Sequence, residues 1–581
     1  MVTGGWCRLW RRGELERPLD SYGEKNMPAI ERIGPQPVPH DATEVMIPMR
    51  DGIRLAADLY LAGLPRPGPV VLVRMPYDKG GVYSFMPPIS RYFRAHGYHV
   101  LVQDVRGKYR SEGVPEFAVN EVNDGYDTIL WLTEQPWCDG DVVMWGDSYY
   151  GYTTIAAAIS SHPALKAIAP RVTGSQLSMP LEYSDGTRDV EQMARKGYFA
   201  THYVDAHRYE WEPDWNIHPL RVVFERFFDH VGIRSANFDA EFLGDSRFVP
   251  APLQALLESP PVPILYTIGW FDICAVWAWH DVRALSRHPA WAEHLHLRLE
   301  AIDHENYWLG HAPVVPDDDH RTDPAALERL LPRYVNPAIE FFDAVLGRRD
   351  APPPRVRYEI CHGEWHDSTT WPPPGAGRLE YHLTPGVLTA EPAPQEIRLE
   401  WTHDPAELVP SPGADPFAAL VDRSDLAPIG ERDDVLRFSG PATGQDTDLM
   451  GAAALSLRLT APAGANIHTR LLDVTPEGRA YLITHGQAHL DLAARGQHVI
   501  IDLQSIAYRL REGHRLALDI MSSDFPHYVP EAPASADPWR ALPGEPTTRE
   551  ITLGGPAASC LRIGDWHIDD LRPPSAEHLT A

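Results

Sequence analysis

The sequence predicts an α/β fold followed by an all-β C-terminal unit. Three observations carry this expectation. Apolar, β-branched runs alternate with helical spacings from residue 44 to residue 160, and one of those runs ends in a tight turn bearing a serine. Beyond residue 351 the alternation gives way to short β runs separated by Gly, Pro and Asp.

Glu44–Leu61 alternates apolar and polar residues about Asp51-Gly52, a hairpin signal. Pro69–Arg74 and Tyr98–Gln103 read as buried strands, with a helix between them that carries Ile89, Tyr92 and Phe93 and stops at Gly97. A helix is expected over Asp124–Gln135, then a strand at Val142–Trp145 and an apolar helix over Tyr152–Ser160. From 179 to 258 the chain is rich in aromatics and charges and shows helical stretches such as Leu220–His230, so it reads as a mostly helical insertion. Strands resume at Val262–Ile268 and Leu295–Ala301, and Pro332–Leu346 reads as a last helix before the Pro-rich link Ala351–Pro354. Ala454–Leu459, His498–Leu503 and His514–Ile520 typify the rest of the chain, an antiparallel sandwich or jelly roll. The expected units are an N-terminal arm (1–41), a two-part α/β domain (42–178 and 259–350), the helical insertion (179–258) and the β unit (351–581).

Bulk properties narrow the function. With 581 residues the chain has room for about three or four domains. A net charge of −28 argues against nucleic acid or an anionic membrane as the main partner. No apolar run reaches the roughly 20 residues that span a bilayer, and the first 28 residues lack the apolar centre of a secretory signal. The five cysteines are scattered, without zinc-ligand spacing, which fits a reducing, cytoplasmic location. The expected partner is a small-molecule ester or amide; a homo-oligomer is compatible with the sequence, and no cofactor or metal is called for.

The chemistry centres on Val142–Gly151, where a strand runs into a serine-bearing turn and then a helix. Gly146 precedes Ser148 by two positions, but the second glycine falls at Gly151 rather than at position 150, so the general G-x-S-x-G pattern is not met. Serine is a poor nucleophile without a base, and the base needs a carboxylate to orient it. In α/β-hydrolases the order is Ser, acid, His. Asp272 follows the strand ending at Ile268, and His304 follows the next one. On spacing alone Asp303 competes with Asp272, and His280, His288 and His311 compete with His304. The oxyanion needs donors: the backbone N–H of Tyr149 is one candidate, and the Tyr77 hydroxyl, in the loop after an early strand, is the other.

These residues sit in longer matches. The motifs are MPYDKG (Met75–Gly80), QDVRGKYRSEG (Gln103–Gly113), Gln135–Tyr152, GWFD (Gly269–Asp272) and Asp303-His304. His362–Pro374 and Gly513–Tyr528 extend them into the last third. Together they make the chain resemble the cocaine esterase and X-prolyl dipeptidyl aminopeptidase (CocE/NonD) family, from about Ala42 to the C-terminus. The resemblance implies an α/β-hydrolase domain with a helical lid insertion and a C-terminal jelly roll. It also implies Ser148, Asp272 and His304 as the triad and Tyr77 with the Tyr149 amide as the oxyanion hole. The family's elbow reads G-x-S-Y-x-G, which accounts for the displaced glycine. One departure concerns substrate: α-amino acid ester hydrolases carry acids soon after the triad aspartate, whereas Ile273-Cys274-Ala275-Val276 supplies none.

The leading expectation is therefore a serine hydrolase that cleaves a neutral carboxylic ester through an acyl-enzyme. An amidase or X-Pro dipeptidyl peptidase is the alternative; it would need acids in the insertion to hold an amine, and Glu182, Asp185, Asp189 and Glu191 are the candidates. A catalytically dead binding protein is the distant third.

Overall fold

The computed structural model describes residues 30–566 except 178, 180, 184–185, 244–252, 352, 534–535 and 556–557, together with residue 571; for 241–243 only the backbone is described. Most of the expected N-terminal arm, the candidate Asp185 and the last ten residues lie outside the described residues.

A ten-stranded sheet organises the first two thirds of the chain. Its strands are β1 (Thr43–Pro48), β2 (Arg54–Tyr60), β3 (Gly68–Met75), β4 (His99–Asp104), β5 (Cys138–Asp147), β6 (Leu165–Arg171), β7 (Ile264–Phe271), β8 (Leu295–Asp303), β9 (Val356–Glu359) and β10 (Trp365–Ser368). The spatial order is β10-β9-β8-β7-β6-β5-β3-β4-β2-β1. Strands β3 to β9 are parallel, while β1, β2 and β10 run against their neighbours. The β1–β2 hairpin turns at Asp51-Gly52 as the alternation predicts, with Gly52 at φ +87°. The central strands are buried on both faces by crossover helices, which is why they read as continuous apolar runs.

At the start of the C-terminal unit, β9 pairs in parallel with β8 and β10 pairs with β9, so two short strands past residue 351 extend the hydrolase sheet to Ser368. Two expectations need correction. The last helix before the link is Pro324–Val345 rather than Pro332–Leu346. Asp323 caps it by accepting from the N–H groups of Ala325 and Ala326, and Pro332 lies inside the helix, where it loses one hydrogen bond without ending it. Finally, β6 is missing from the sequence reading, because its mixture LKAIAPR is neither alternating nor continuously apolar.

The insertion carries four helices among the described residues: Met193–His202, Arg221–Val231, Ala236–Leu243 and Leu253–Glu258. Phe224, Phe227, Phe228 and Phe238 give it an aromatic core, which Val529 and Trp539 of the C-terminal part join. It is also stitched to its surroundings by backbone pairing. Arg208–Glu210 pairs with Glu31–Ile33, and Thr187–Arg188 adds an edge strand to the C-terminal sheet at His489 and Leu490.

The remainder is a curled antiparallel β structure of jelly-roll type. Its longest pairing runs between Thr447–Ala461 and Ala494–Leu510, which contain two of the predicted β runs, and the third lies in Arg515–Met521. One hydrophobic core continues from the lower face of the hydrolase sheet into this unit. At the junction Trp270, Trp279 and Trp371 lie ring against ring, and the Trp270 indole N–H donates to the Glu359 carbonyl (2.8 Å).

Candidate active site

Strand β5 passes directly into a helix over Ser148–Ser160, and Ser148 stands at the corner with φ +51°. A non-glycine residue held in this left-handed region carries roughly 1–3 kcal/mol of strain, offset by the packing around it. The corner closes only because its flanks are glycine. A Cβ on Gly146 would lie 2.3 Å from the Tyr150 carbonyl oxygen, and one on Gly151 would lie 2.8 Å from Thr173 Cγ2 and 2.9 Å from the Gly146 oxygen. The displaced second glycine thus serves the same close approach that the general pattern provides one residue earlier.

The predicted side chains converge. His304 Nε2 lies 2.9 Å from Ser148 Oγ, and His304 Nδ1 lies 2.7 Å from Asp272 Oδ1. Asp272 Oδ1 also accepts from the Cys274 N–H (2.9 Å), which holds the carboxylate toward the ring. Burial disfavours the His304 imidazolium, but the hydrogen-bonded Asp272 carboxylate favours it, and the His304 pKa is held well above the ordinary histidine range. Burial pushes the Cys274 thiol up to about 11, so at neutral pH it is uncharged.

The competing residues have other partners. Asp303 accepts from the N–H groups of Glu305, Tyr307 and Leu420, which makes it the carboxylate that shapes the His304 turn and ties it to the C-terminal unit. His311 faces Asp318 at 4.0 Å, and His288 joins two consecutive helices.

Tyr77 is 3% exposed, with Ser148 and Tyr198 flanking its hydroxyl; burial raises its pKa, so it stays a protonated donor. The rings of Tyr83, Tyr150, Tyr198 and His202 pack edge-on around it. The backbone N–H of Tyr149 is in the first turn of the Ser148–Ser160 helix, where helical N–H groups lack an intrahelical acceptor. Its side chain is anchored below the site: the hydroxyl donates to Glu121 Oε1 (2.8 Å) and accepts from the Ala118 N–H (3.0 Å).

Sequence reasoning missed a buried polar network that joins elbow to histidine loop. Asp147, next to Ser148, pairs with Arg171 (3.1 Å) at the end of β6 and accepts from Asn306 (2.8 Å) and the Tyr334 hydroxyl (2.6 Å). Arg171 in turn donates to Asn306 Oδ1 (2.9 Å). Asn306 lies two residues past His304, so the network ties the elbow to the histidine loop. An aspartate adjoining the elbow serine and an arginine ending a core strand were the available signals.

Two cavities flank Ser148. One, small and narrow, is walled by Phe117, Leu177, Tyr198, Phe199, Trp277 and Phe417, with Gln192 and Arg195 among its polar members. The other, of similar size, is bordered by Tyr77, Tyr83, Phe85, His304, Glu305 and Tyr334. The acids near them are already partnered. Burial pushes the Glu305 carboxyl up, but Arg321 outweighs this and holds it low; Glu191 is likewise held low by Lys196 and Arg195. Glu182 is exposed, and Asp189 accepts from Tyr183 (3.1 Å) outside both cavities.

Residues 51–216 match the family described as X-Pro dipeptidyl-peptidase (S15 family), and residues 351–557 match the X-Pro dipeptidyl-peptidase C-terminal non-catalytic domain. A cocaine esterase from Rhodococcus sp. (strain MB1 Bresler) is 29% identical over 547 residues, 84% of this chain and 91% of that protein. The chain belongs to the X-Pro dipeptidyl-peptidase and CocE/NonD family. As a family member it is a serine hydrolase that works through an acyl-enzyme. The fold is shared with an aminopeptidase from a marine sediment Thaumarchaeota archaeon (TM-score 0.73, 22% identity, 94% of this chain and 99% of that one). A CocE/NonD family hydrolase from Staphylococcus aureus also shares it (TM-score 0.59, 16% identity, 92% and 93% covered).

Proposed function

We propose that this family member is a carboxylesterase for esters with a neutral, apolar or aromatic acyl group. In this reading Ser148 Oγ attacks the ester carbonyl while His304 Nε2 takes its proton, and Asp272 holds the ring in the required tautomer. The Tyr77 hydroxyl and the Tyr149 N–H receive the developing oxyanion. His304 then hands its proton to the leaving alcohol, and a water activated by the same imidazole releases the acid.

The character of the cavity beside Ser148 carries the choice of substrate. Its walls are aromatic and aliphatic, and the one ionised side chain among its described lining residues is the cation Arg195. A peptidase that grips a free N-terminus needs a carboxylate with charge to spare, whereas Glu191 and Glu305 are each matched by a neighbouring cation. An ammonium group would be desolvated without a partner, which is costly. The free thiols of Cys138, Cys274, Cys361 and Cys560 support a reducing, cytoplasmic location.

The test pairs p-nitrophenyl acyl esters with Gly-Pro anilides. We expect kcat/KM to favour the esters, a fluorophosphonate probe to label Ser148, and Ser148→Ala to lose both turnover and label. Tyr77→Phe should lower kcat by roughly 10²–10³ with the protein still folded. Faster cleavage of the anilide would replace the esterase reading with the peptidase one.

A further inference from the structure

A buried nucleophilic group that the mechanism does not use, the Cys274 thiol, lies against the proposed triad. The side chains of Asp272, Cys274 and His304 each present one ligand atom, and these three atoms lie within 4.8 Å of one another. All three residues are buried, at 3%, 3% and 6% exposure. Carboxylate, thiol and imidazole are the donor types that zinc takes, and their union at one point is not required for ester cleavage, which uses only the carboxylate and the ring.

We propose that Asp272, Cys274 and His304 form a zinc-binding site superimposed on the triad, through which Zn²⁺ reversibly inhibits the enzyme. The inference rests on the reading of Ser148, Asp272 and His304 as the triad. Charge supports it: a thiolate and a carboxylate together neutralise a divalent ion, so the occupied site buries no net charge, and an ion of that size is otherwise poorly tolerated in such a place. Spacing supports it as well. Zinc ligands sit about 2.0–2.3 Å from the metal, so tetrahedral neighbours stand roughly 3.3–3.8 Å apart, within reach of small rotations of these side chains. Access exists from two sides. Cys274 borders the cavity that contains Ser148, and Asp272 borders a separate cavity between the hydrolase sheet and the C-terminal unit, whose other walls include Pro412, Leu420 and Tyr528. Either cavity supplies room for a water as fourth ligand.

The proton balance explains the inhibition. His304 Nδ1 faces Asp272, and in the working enzyme it carries the ring proton. Zinc on Nδ1 requires that proton to move to Nε2, and the Cys274 thiol to release its own proton to solvent. With Nε2 protonated, the ring has no lone pair for the Ser148 hydroxyl, and the orienting carboxylate is held by the metal. Binding therefore forms metal–S, metal–N and metal–O bonds, releases one proton and halts general-base catalysis without touching the serine.

The experiment uses the full chain after chelator treatment. Zn²⁺ should inhibit p-nitrophenyl acetate hydrolysis, with full recovery on adding EDTA, and Cys274→Ala should raise the inhibition constant at least tenfold. Co²⁺ reports the site without reference to activity: a thiolate-to-cobalt charge-transfer band should appear in wild type and Ser148→Ala, and be lost in Cys274→Ala and His304→Ala. Thermal melting checks that each variant is folded, and Cys138→Ala should retain the band if Cys274→Ala is destabilised. Equal zinc sensitivity in wild type and Cys274→Ala, or a cobalt band indifferent to Cys274, overturns the proposal. Absence of the band from wild type with an intact serine-dependent esterase would refute the metal site alone, whereas turnover surviving in Ser148→Ala would refute the triad alone.

Discussion

In the proposed mechanism His304 must be neutral to accept the Ser148 proton, and its surroundings make that harder than usual. Burial favours the neutral ring, but the hydrogen-bonded Asp272 carboxylate holds its pKa well above the ordinary histidine range. The protonated, inactive form therefore persists to higher pH, and kcat/KM should fall as pH drops through a pKa above the ordinary value near 6.5. Removing the anion by Asp272→Asn should shift that limb to lower pH and, by releasing the ring from its tautomer, cut kcat by about 10⁴. A pH–rate profile of both proteins checks this, and a limb that does not move would detach Asp272 from the base. At this scale the sequence could name the residue types but could not choose between neighbours. Asp272 and Asp303 both follow strands; what separates them is that Asp303 spends its oxygens on three backbone N–H groups.

The elbow is an element whose geometry is written almost wholly in its own residues. Gly146, Ser148 and Gly151 are local, and a strand followed by a helix leaves little freedom for the residues between. Gly146→Ala should therefore act through the backbone: with the new methyl 2.3 Å from the Tyr150 oxygen, the corner must open, at a cost of about 1–3 kcal/mol in stability and with loss of most activity. Thermal melting and an ester assay would report both, and an Ala variant with normal turnover would show that the turn tolerates the opening. Other elements were legible where one physical signal dominated. Strands β3, β4 and β7 are continuous apolar runs, and the β1–β2 hairpin alternates about Asp-Gly. Strand β6 and the start of the Pro324–Val345 helix were not, because a lysine and a proline inside the strand and prolines inside the helix oppose the local preference, and tertiary packing overrides it.

The whole molecule completes the site from three directions. The insertion contributes Tyr198 and Phe199 to the wall beside Ser148, and the C-terminal unit contributes Phe417, whose ring meets the His304 imidazole edge-on at 5.1 Å. The same loop is bound to the histidine turn by two hydrogen bonds: Leu420 N–H to the Asp303 carboxylate (2.9 Å) and Glu305 N–H to the Phe417 carbonyl (3.2 Å). The C-terminal unit therefore lines the candidate site, and under the proposed function Phe417→Ala should reduce kcat/KM for aromatic esters by up to about tenfold, with a smaller effect on acetate esters. Steady-state kinetics on the two ester classes would decide it, and equal losses on both would reduce Phe417 to a general packing residue.

By itself, the amino-acid sequence determined the α/β core, the serine-bearing corner and the order in which the proposed nucleophile, acid and base come along the chain. Each of these is set by residues close in sequence or by their order, so composition and spacing suffice to reveal them. Only the tertiary structure decided which aspartate faces the imidazole, that Asp147, Arg171, Asn306 and Tyr334 join elbow and histidine loop, that Cys274 lies beside Asp272 and His304, and that Phe417 reaches the candidate site from a distant part of the chain. Those partners are chosen by which buried polar groups find one another when strands and loops far apart in the chain are packed into one low-dielectric interior, and no local pattern encodes that choice.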